Sequence, residues 1–392
     1  MANMNLIRGV IDNPKVGKYL FYVALVLYLL AQFSTGTMLY ESYLYDNFAY
    51  QVIYCAIALV LVKIFVFDGF SDFKEMMLYV AIGLLILVGC NNAIYYDIIY
   101  YYIFMVGARN IEFDGIVKIF LVTIGAGLVV TVLAAKLGLI MGLTIGRSDS
   151  PVIRYALGTV YATDLAARTF YLQLMYVLWR KFKLTVPEYI AGFAFTIMIY
   201  IITDTRVDFA LMIATLLLSL GYKYVINVLE FLKFRILTLI GLVAIFGMIG
   251  LTYIYTSKIG ILRILDKILS TRLQNGHGAF TDYNVTLFGQ IIPQHGNGGL
   301  QTHPFHYFFI DCTFVRILMM NGLIVFILLI GALCYMLNRF MENKAYTLIV
   351  AMILIVISSL IDHHMPELAF NVVFLAMFAN IDYFKDNSRS WI

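Results

Sequence analysis

The sequence predicts an all-α polytopic membrane protein, one integral membrane unit over residues 1–392 with a single large extracytoplasmic loop. Three observations predict it. Apolar side chains make up 62% of the chain and charged ones only 13%, against about 25% charged in a soluble chain. Apolar runs long enough to cross a bilayer core, about 20 residues each, recur along the whole length. Only one long stretch, Ser257–Cys312, breaks that rhythm, and it holds four of the six histidines, a GNGG turn and two of the six prolines.

Taken in order, twelve apolar stretches are predicted to cross: about 17–38, 49–67, 75–91, 93–108, 115–140, 159–180, 187–203, 207–222, 234–256, 313–337, 345–361 and 367–383. The fourth and eighth are short. The basic lead of Arg8, Lys15 and Lys18 precedes a long first stretch with no small-residue cleavage site, the pattern of an uncleaved signal anchor. Lysine and arginine set the orientation. With the N-terminus inside, inner segments hold seventeen of the 27 and outer segments eight, while Arg168 and Arg316 fall within spans. Both termini are therefore expected in the cytoplasm and the long loop outside, in a cytoplasmic membrane.

Cys55, Cys90, Cys312 and Cys334 lie in or beside spans without CxxC pairing, so they read as small apolar side chains. The net charge of +4 calls for no nucleic-acid partner. The tyrosine-rich run YYDIIYYYIF reads as an interfacial aromatic belt. In SKIGILRILDKILSTRLQNG, Ile261, Leu262, Ile264, Leu265, Ile268, Leu269 and Leu273 recur at helical spacing among charged residues. That stripe predicts a helix lying in the outer interface, stopped by Gly276 and Gly278.

Positive side chains on the outer face run against the charge bias. Arg147, Arg154, Arg206 and Arg272 come from three separate outer segments. Arginine is suited to phosphate because its planar, permanently charged fork gives paired hydrogen bonds. Charge within spans is costly and points to function. Arg316 sits at the start of the tenth span, and Arg168 follows Asp164 by one helical turn, which allows the two to pair. For acid–base work the loop offers His303, His306, Asp311 and Asp282, histidine being the side chain that titrates near neutrality. A further outer patch, IDHHMPELAFN, gathers Asp362, His363, His364, Glu367 and Asn371; it is either a solvated turn or a wall of the loop's cavity contributed by Glu367. No HExxH or paired Cys/His spacing, GxSxG or nucleotide loop is present, so no metal or cofactor is expected.

Four stretches resemble, in order, the Wzy-type oligosaccharide repeat-unit polymerases of capsule, exopolysaccharide and O-antigen synthesis. These are IRYALGTVYATDLAAR (153–168), ITDTRVDFALM (202–212), STRLQNGHGAFTDYNVTLFGQ (270–290) and FFIDCTFVRILMMNGLIVFILL (308–329), with a mid-span glycine at Gly322. The resemblance covers the last 240 residues loosely. Similar members often carry His-Pro-Asn where this chain reads Tyr161-Ala162-Thr163. The resemblance implies an enzyme that moves a glycan from a polyprenyl diphosphate onto the non-reducing sugar of a second lipid-linked repeat unit, by a metal-independent inverting displacement. In that scheme Arg154, Arg206, Arg272 and Arg147 bind the diphosphate, His306 or His303 serves as base with Asp311 orienting it, and Asp282, Arg316 and Glu367 support them. Partners are the lipid-linked oligosaccharides, membrane lipid, and a chain-length regulator and flippase. A ligase of the same superfamily shares these features. A flippase of lipid-linked oligosaccharide is a rival of another class, although the two halves show no internal repeat.

Overall fold

The computed structural model describes residues 13–43, 47–147, 150–296, 298–300 and 307–386, and most of them are helical. His303, His306, Arg8 and Arg389 lie outside the described residues. The helices are α1 (Pro14–Thr35), α2 (Met38–Tyr43), α3 (Phe48–Val62, extended by a π turn to Asp68), α4 (Phe73–Ala93), α5 (Asp97–Gly107) and α6 (Phe113–Lys136). Then come α7 (Ala162–Trp179), α8 (Val186–Thr203), α9 (Arg206–Leu220) and α10 (Tyr222–Tyr253). The last four are α11 (Gly260–Ile268), α12 (Arg272–Asp282), α13 (Thr313–Glu342) and α14 (Tyr346–Ser359). Seven of them are long and apolar enough to cross a membrane, and α5 and α14 are shorter apolar helices. This is a membrane protein built of helices.

Four sequence expectations are corrected. The chain is not wholly α: β1 (Thr144–Arg147) and β2 (Ser150–Tyr155) form an antiparallel hairpin with Ile145 opposite Arg154. Second, residues 222–233, expected as an inner segment between spans, are helical and run into the next span within α10, with a backbone break at Lys233 (φ 55°, ψ 168°). Third, the amphipathic helix does not run to Gly276. Ser270 and Thr271 adopt left-handed φ and split it into α11 and α12. Both glycines lie inside α12, where Gly276 packs on Thr252 and Gly278 on Phe308. Helix α11 still leaves Ile261, Ile264 and Ile268 between 61% and 72% exposed, an uncovered apolar face of the kind that rests in a bilayer interface.

The fourth correction concerns residues 367–383, which were expected to form a helical span. They are irregular, with only short 3-10 turns at Val373–Met377 and Asp382–Phe384, yet the run from Leu368 to Ala376 is buried throughout. Such backbone survives at depth only where protein satisfies its polar groups. Here it does. Gln32 Oε1 accepts from the Ala369 amide, the Tyr101 hydroxyl donates to the Asn371 carbonyl, and Arg339 donates to the Met377 and Ala379 carbonyls. Asn371 turns the chain by accepting from the Val373 amide and donating to the Met365 carbonyl.

One junction fixes the long loop to the bundle. Helix α13 passes through a π turn at Ile317–Asn321 and breaks at Gly322 (φ 90°, ψ 169°). Into the break fits the loop segment 286–290. The Gln290 amide donates to Met320 O (2.8 Å), Leu323 to Thr286 O (2.9 Å) and Ile324 to Leu287 O (3.2 Å). Gly289 (φ 85°) lies against the Met320 and Gly89 carbonyls, and Gly89 against Asn321 O. Three glycines let three backbones touch.

Candidate functional site

The loop end of the bundle gathers charge from six parts of the chain. Its centre is the 361–367 stretch, which follows α14 and is held to the start of α13 by Thr313, whose amide and hydroxyl both donate to the Asp362 carbonyl. Pro366 prevents a helix here, so the consecutive residues His363 and His364 turn inward together. The His364 ring stacks on Phe370 (3.8 Å between centroids, 8° between planes) and stands 4.1 Å from the His363 ring.

Three carboxylates surround His364. Its Nδ1 is 3.1 Å from Glu367 Oε1, and its Nε2 lies 3.6 Å from Asp362 Oδ1 and 3.7 Å from Asp164 Oδ1. Burial opposes charge on the ring, but Asp362 and Glu367 outweigh it and hold its pKa well above the usual histidine range. Burial likewise opposes ionisation of Asp362, yet His364, His363 and Arg272 keep its carboxyl below the usual range. The cluster is therefore one imidazole caged by three carboxylates, an arrangement that favours its protonated form. Asp164 is also within electrostatic reach of Arg168, although the two form no ion pair among the described residues.

Arg168 instead has a guanidinium clamped between the Phe33 ring (4.5 Å) and the Phe370 ring (4.3 Å). It is 2% exposed, and its Nε and Nη1 have no hydrogen-bond partner among the described groups. Arg316 is similar: Nη1 donates to Gln294 Oε1 (3.3 Å), the rings of Tyr95 and Phe309 flank it at 5.1 and 5.0 Å, and Nε is buried without a partner. Arg272 reaches across from α12, donating from Nε to the Ile361 carbonyl (2.6 Å), with Asp311 Oδ2 a loose 4.0 Å away. Burial raises the Asp311 carboxyl above its usual range although Arg272 and His363 pull it down. Asp208, buried at the first turn of α9, is within electrostatic reach of Arg272 and His364, and Asp97 within reach of Glu367 and Arg316. Gln32 Nε2 donates to Asp97 Oδ1 (2.9 Å).

Of the residues singled out from sequence, Arg272, Asp311, Arg316 and Glu367 converge here. Arg154 is buried on β2, with Nε donating to Thr203 O (2.7 Å) at the α8–α9 turn and its guanidinium 5.7 Å from the Tyr161 ring. Arg206 is exposed at the start of α9, and Asp282 is exposed at the end of α12. Arg147 belongs to β1. Asp97, Asp164 and Asp208 were not singled out as site residues. The signal for them was available: each is an acid within one turn of the start of an apolar helix, where burial of charge is expensive.

Asp362, His363 and His364 place possible ligand atoms within 4.8 Å of one another. A cation there would lie beside Arg272, whose charge already acts on Asp362. Beside the site opens an apolar cleft of about 460 Å³ between α4, α5, α13 and residues 365–378.

Among known proteins, no family model, no curated sequence and no solved structure matches the chain.

Proposed function

We propose that this protein is a membrane glycosyltransferase that polymerises polyprenyl-diphosphate-linked oligosaccharides on the outer face of a bacterial cytoplasmic membrane, across a bundle of about twelve crossings with both termini inside. One observation carries the proposal. Arg168 and Arg316 present buried donors with no protein partner, at the end of an apolar bundle and beside buried carboxylates. An unsatisfied buried donor costs about 1–3 kcal/mol, so these groups favour an anion, and a diphosphate supplies acceptors for several of them.

In the proposed reaction the acceptor hydroxyl attacks the anomeric carbon while the bond from that carbon to the diphosphate oxygen breaks. The growing chain is thereby joined to the new unit, and polyprenyl diphosphate departs. Arg272 and Arg316 stabilise the charge that builds on the leaving oxygens, which is where fixed donors lower a barrier most. The hydroxyl proton goes to Asp311, whose burial raises it toward the range of a working base. His364, within 3.1–3.7 Å of Glu367, Asp362 and Asp164, fixes these three carboxylates around the sugar.

Purified protein with a lipid-linked repeat unit tests the reading. A ladder of chain lengths supports it. A single joined product on another acceptor means a ligase, and movement across vesicles without joining means a transporter. Asp311→Asn is expected to abolish the ladder while donor binding persists. Loss in the His303→Gln/His306→Gln double variant, with Asp311→Asn active, would move the base to a histidine.

A further inference from the structure

We infer that Asp362, His363, His364 and Asp164 form a zinc site, a role that goes beyond the proposed function and does not rest on it. A set of buried contacts too long for hydrogen bonds carries the inference. His364 Nε2 lies 3.6 Å from Asp362 Oδ1 and 3.7 Å from Asp164 Oδ1, and His363 Nδ1 lies 3.4 Å from Asp362 Oδ1. Hydrogen bonds between such atoms close to about 2.7–3.2 Å. Ligands of a tetrahedral zinc, each about 2.0–2.2 Å from the metal, stand about 3.3–3.5 Å apart. The three separations fall within a few tenths of an ångström of that edge. Asp362, His363 and His364 each place one ligand atom within 4.8 Å of the other two. Nδ1 of His363 is buried and, among the described residues, has no hydrogen-bond partner.

The surroundings complete the ligand set. A metal-bound histidine gives its other ring N–H to a carboxylate, which fixes the tautomer and turns the free nitrogen to the metal. His364 has that partner: Nδ1 lies 3.1 Å from Glu367 Oε1, and stacking on Phe370 holds the ring plane. Two imidazoles with two carboxylates suit zinc, whereas calcium and magnesium take oxygen ligands. Charge also allows the ion. Arg272 acts on Asp362 and Arg168 on Glu367, yet the six carboxylates of the cluster outnumber its three guanidiniums, so a divalent cation is balanced without displacing an arginine. The His363 side chain is 18% exposed and gives the ion a path from water. Asp164 lies in the first turn of α7 and the other ligands follow α14, so zinc ties these two parts of the chain together. Two ligands are adjacent and the fourth is distant in sequence, which is why no spaced motif announces the site.

Full-length protein carrying no polyhistidine tag is purified in detergent, stripped with a chelator and titrated with zinc chloride at neutral pH against a chromophoric chelator. One zinc per chain is expected, with a Kd below about 10 μM and a higher melting temperature. Calcium and magnesium chloride are expected to do neither, and cobalt(II) in place of zinc to give the visible spectrum of four-coordinate metal. His363→Gln is expected to melt like zinc-free wild type and to weaken zinc by about 10²-fold or more. Exposed His295 is the control, and His295→Gln is expected to bind zinc as wild type does. Should His363→Gln misfold, Glu367→Gln keeps all four ligands, removes the carboxylate behind His364 and is expected to weaken zinc about tenfold. Wild-type binding weaker than about 10 μM, affinity unchanged in His363→Gln, equal loss in His295→Gln or a six-coordinate cobalt spectrum overturns the site. Because binding is read without turnover, the two readings fail separately. Protein that binds zinc but makes no polymer removes the polymerase reading alone, and protein that makes polymer but binds no zinc removes the zinc site alone.

Discussion

Gly322→Ala is the most searching test of how the loop is seated. Gly322 has φ 90° and ψ 169°, a region that only glycine occupies readily, so alanine costs about 1–3 kcal/mol in backbone strain alone. Its Cβ would stand 2.7 Å from Leu287 O and 2.9 Å from Leu287 C, both backbone atoms that no rotamer change can move. The loop must retreat. Three hydrogen bonds between segment 286–290 and residues 320–324 are then lost or stretched, at about 0.5–1.5 kcal/mol each. Together the effects reach about 2.5–7.5 kcal/mol, well beyond an ordinary surface substitution. The assay is reversible unfolding in mixed detergent, with proteolysis of residues 286–300 as a local readout. Gly331→Ala serves as control, since its Cβ meets open space. If Gly322→Ala unfolds within about 0.5 kcal/mol of wild type, an ordinary surface effect, the docking of the loop into the helix break is not what holds it.

Other perturbations address the charged cluster. Arg168→Met removes buried donors that lack a protein partner and keeps the stem between Phe33 and Phe370, so stability is expected to hold while polymer formation falls; equal loss of both would make Arg168 structural. Arg272→Lys cannot reproduce the fork that spans Ile361 O and faces Asp311, and turnover is expected to drop about 10²-fold with the fold intact. His364→Gln strands three carboxylates and is expected to cost about 3–5 kcal/mol. It also changes the pH profile. Because the folded pKa of His364 is raised, its contribution is complete below the unfolded value of about 6.5 and is lost as pH rises through the folded value. Asp362 is depressed, so its contribution is present above about 3.9 and lost as pH falls through its folded value. Wild-type unfolding measured upward from pH 7 should therefore show declining stability, and His364→Gln should remove that slope.

Composition and periodicity were enough to establish a helical membrane protein, because a bilayer demands long apolar runs whatever their packing. They also marked Arg272, Asp311, Arg316 and Glu367, since charge at the edge of an apolar span has few other reasons to be there. The pair LFG and Gly322 was visible as spelling only. That Leu287–Gly289 seats in the break at Gly322 depends on contacts between residues more than thirty positions apart. The partner of Asp164 was equally out of reach: one helical turn suggested Arg168, but only the path of the final segment brings His364 within 3.7 Å. That segment is apolar enough to read as a helical span and instead threads the core as irregular backbone, because Gln32, Tyr101 and Arg339 supply its hydrogen bonds. Sequence by itself determined the solvent this chain folds in and where charge is expensive. Tertiary structure decided which charges meet, since hydrogen bonds and ion pairs depend on distances that local spacing does not encode.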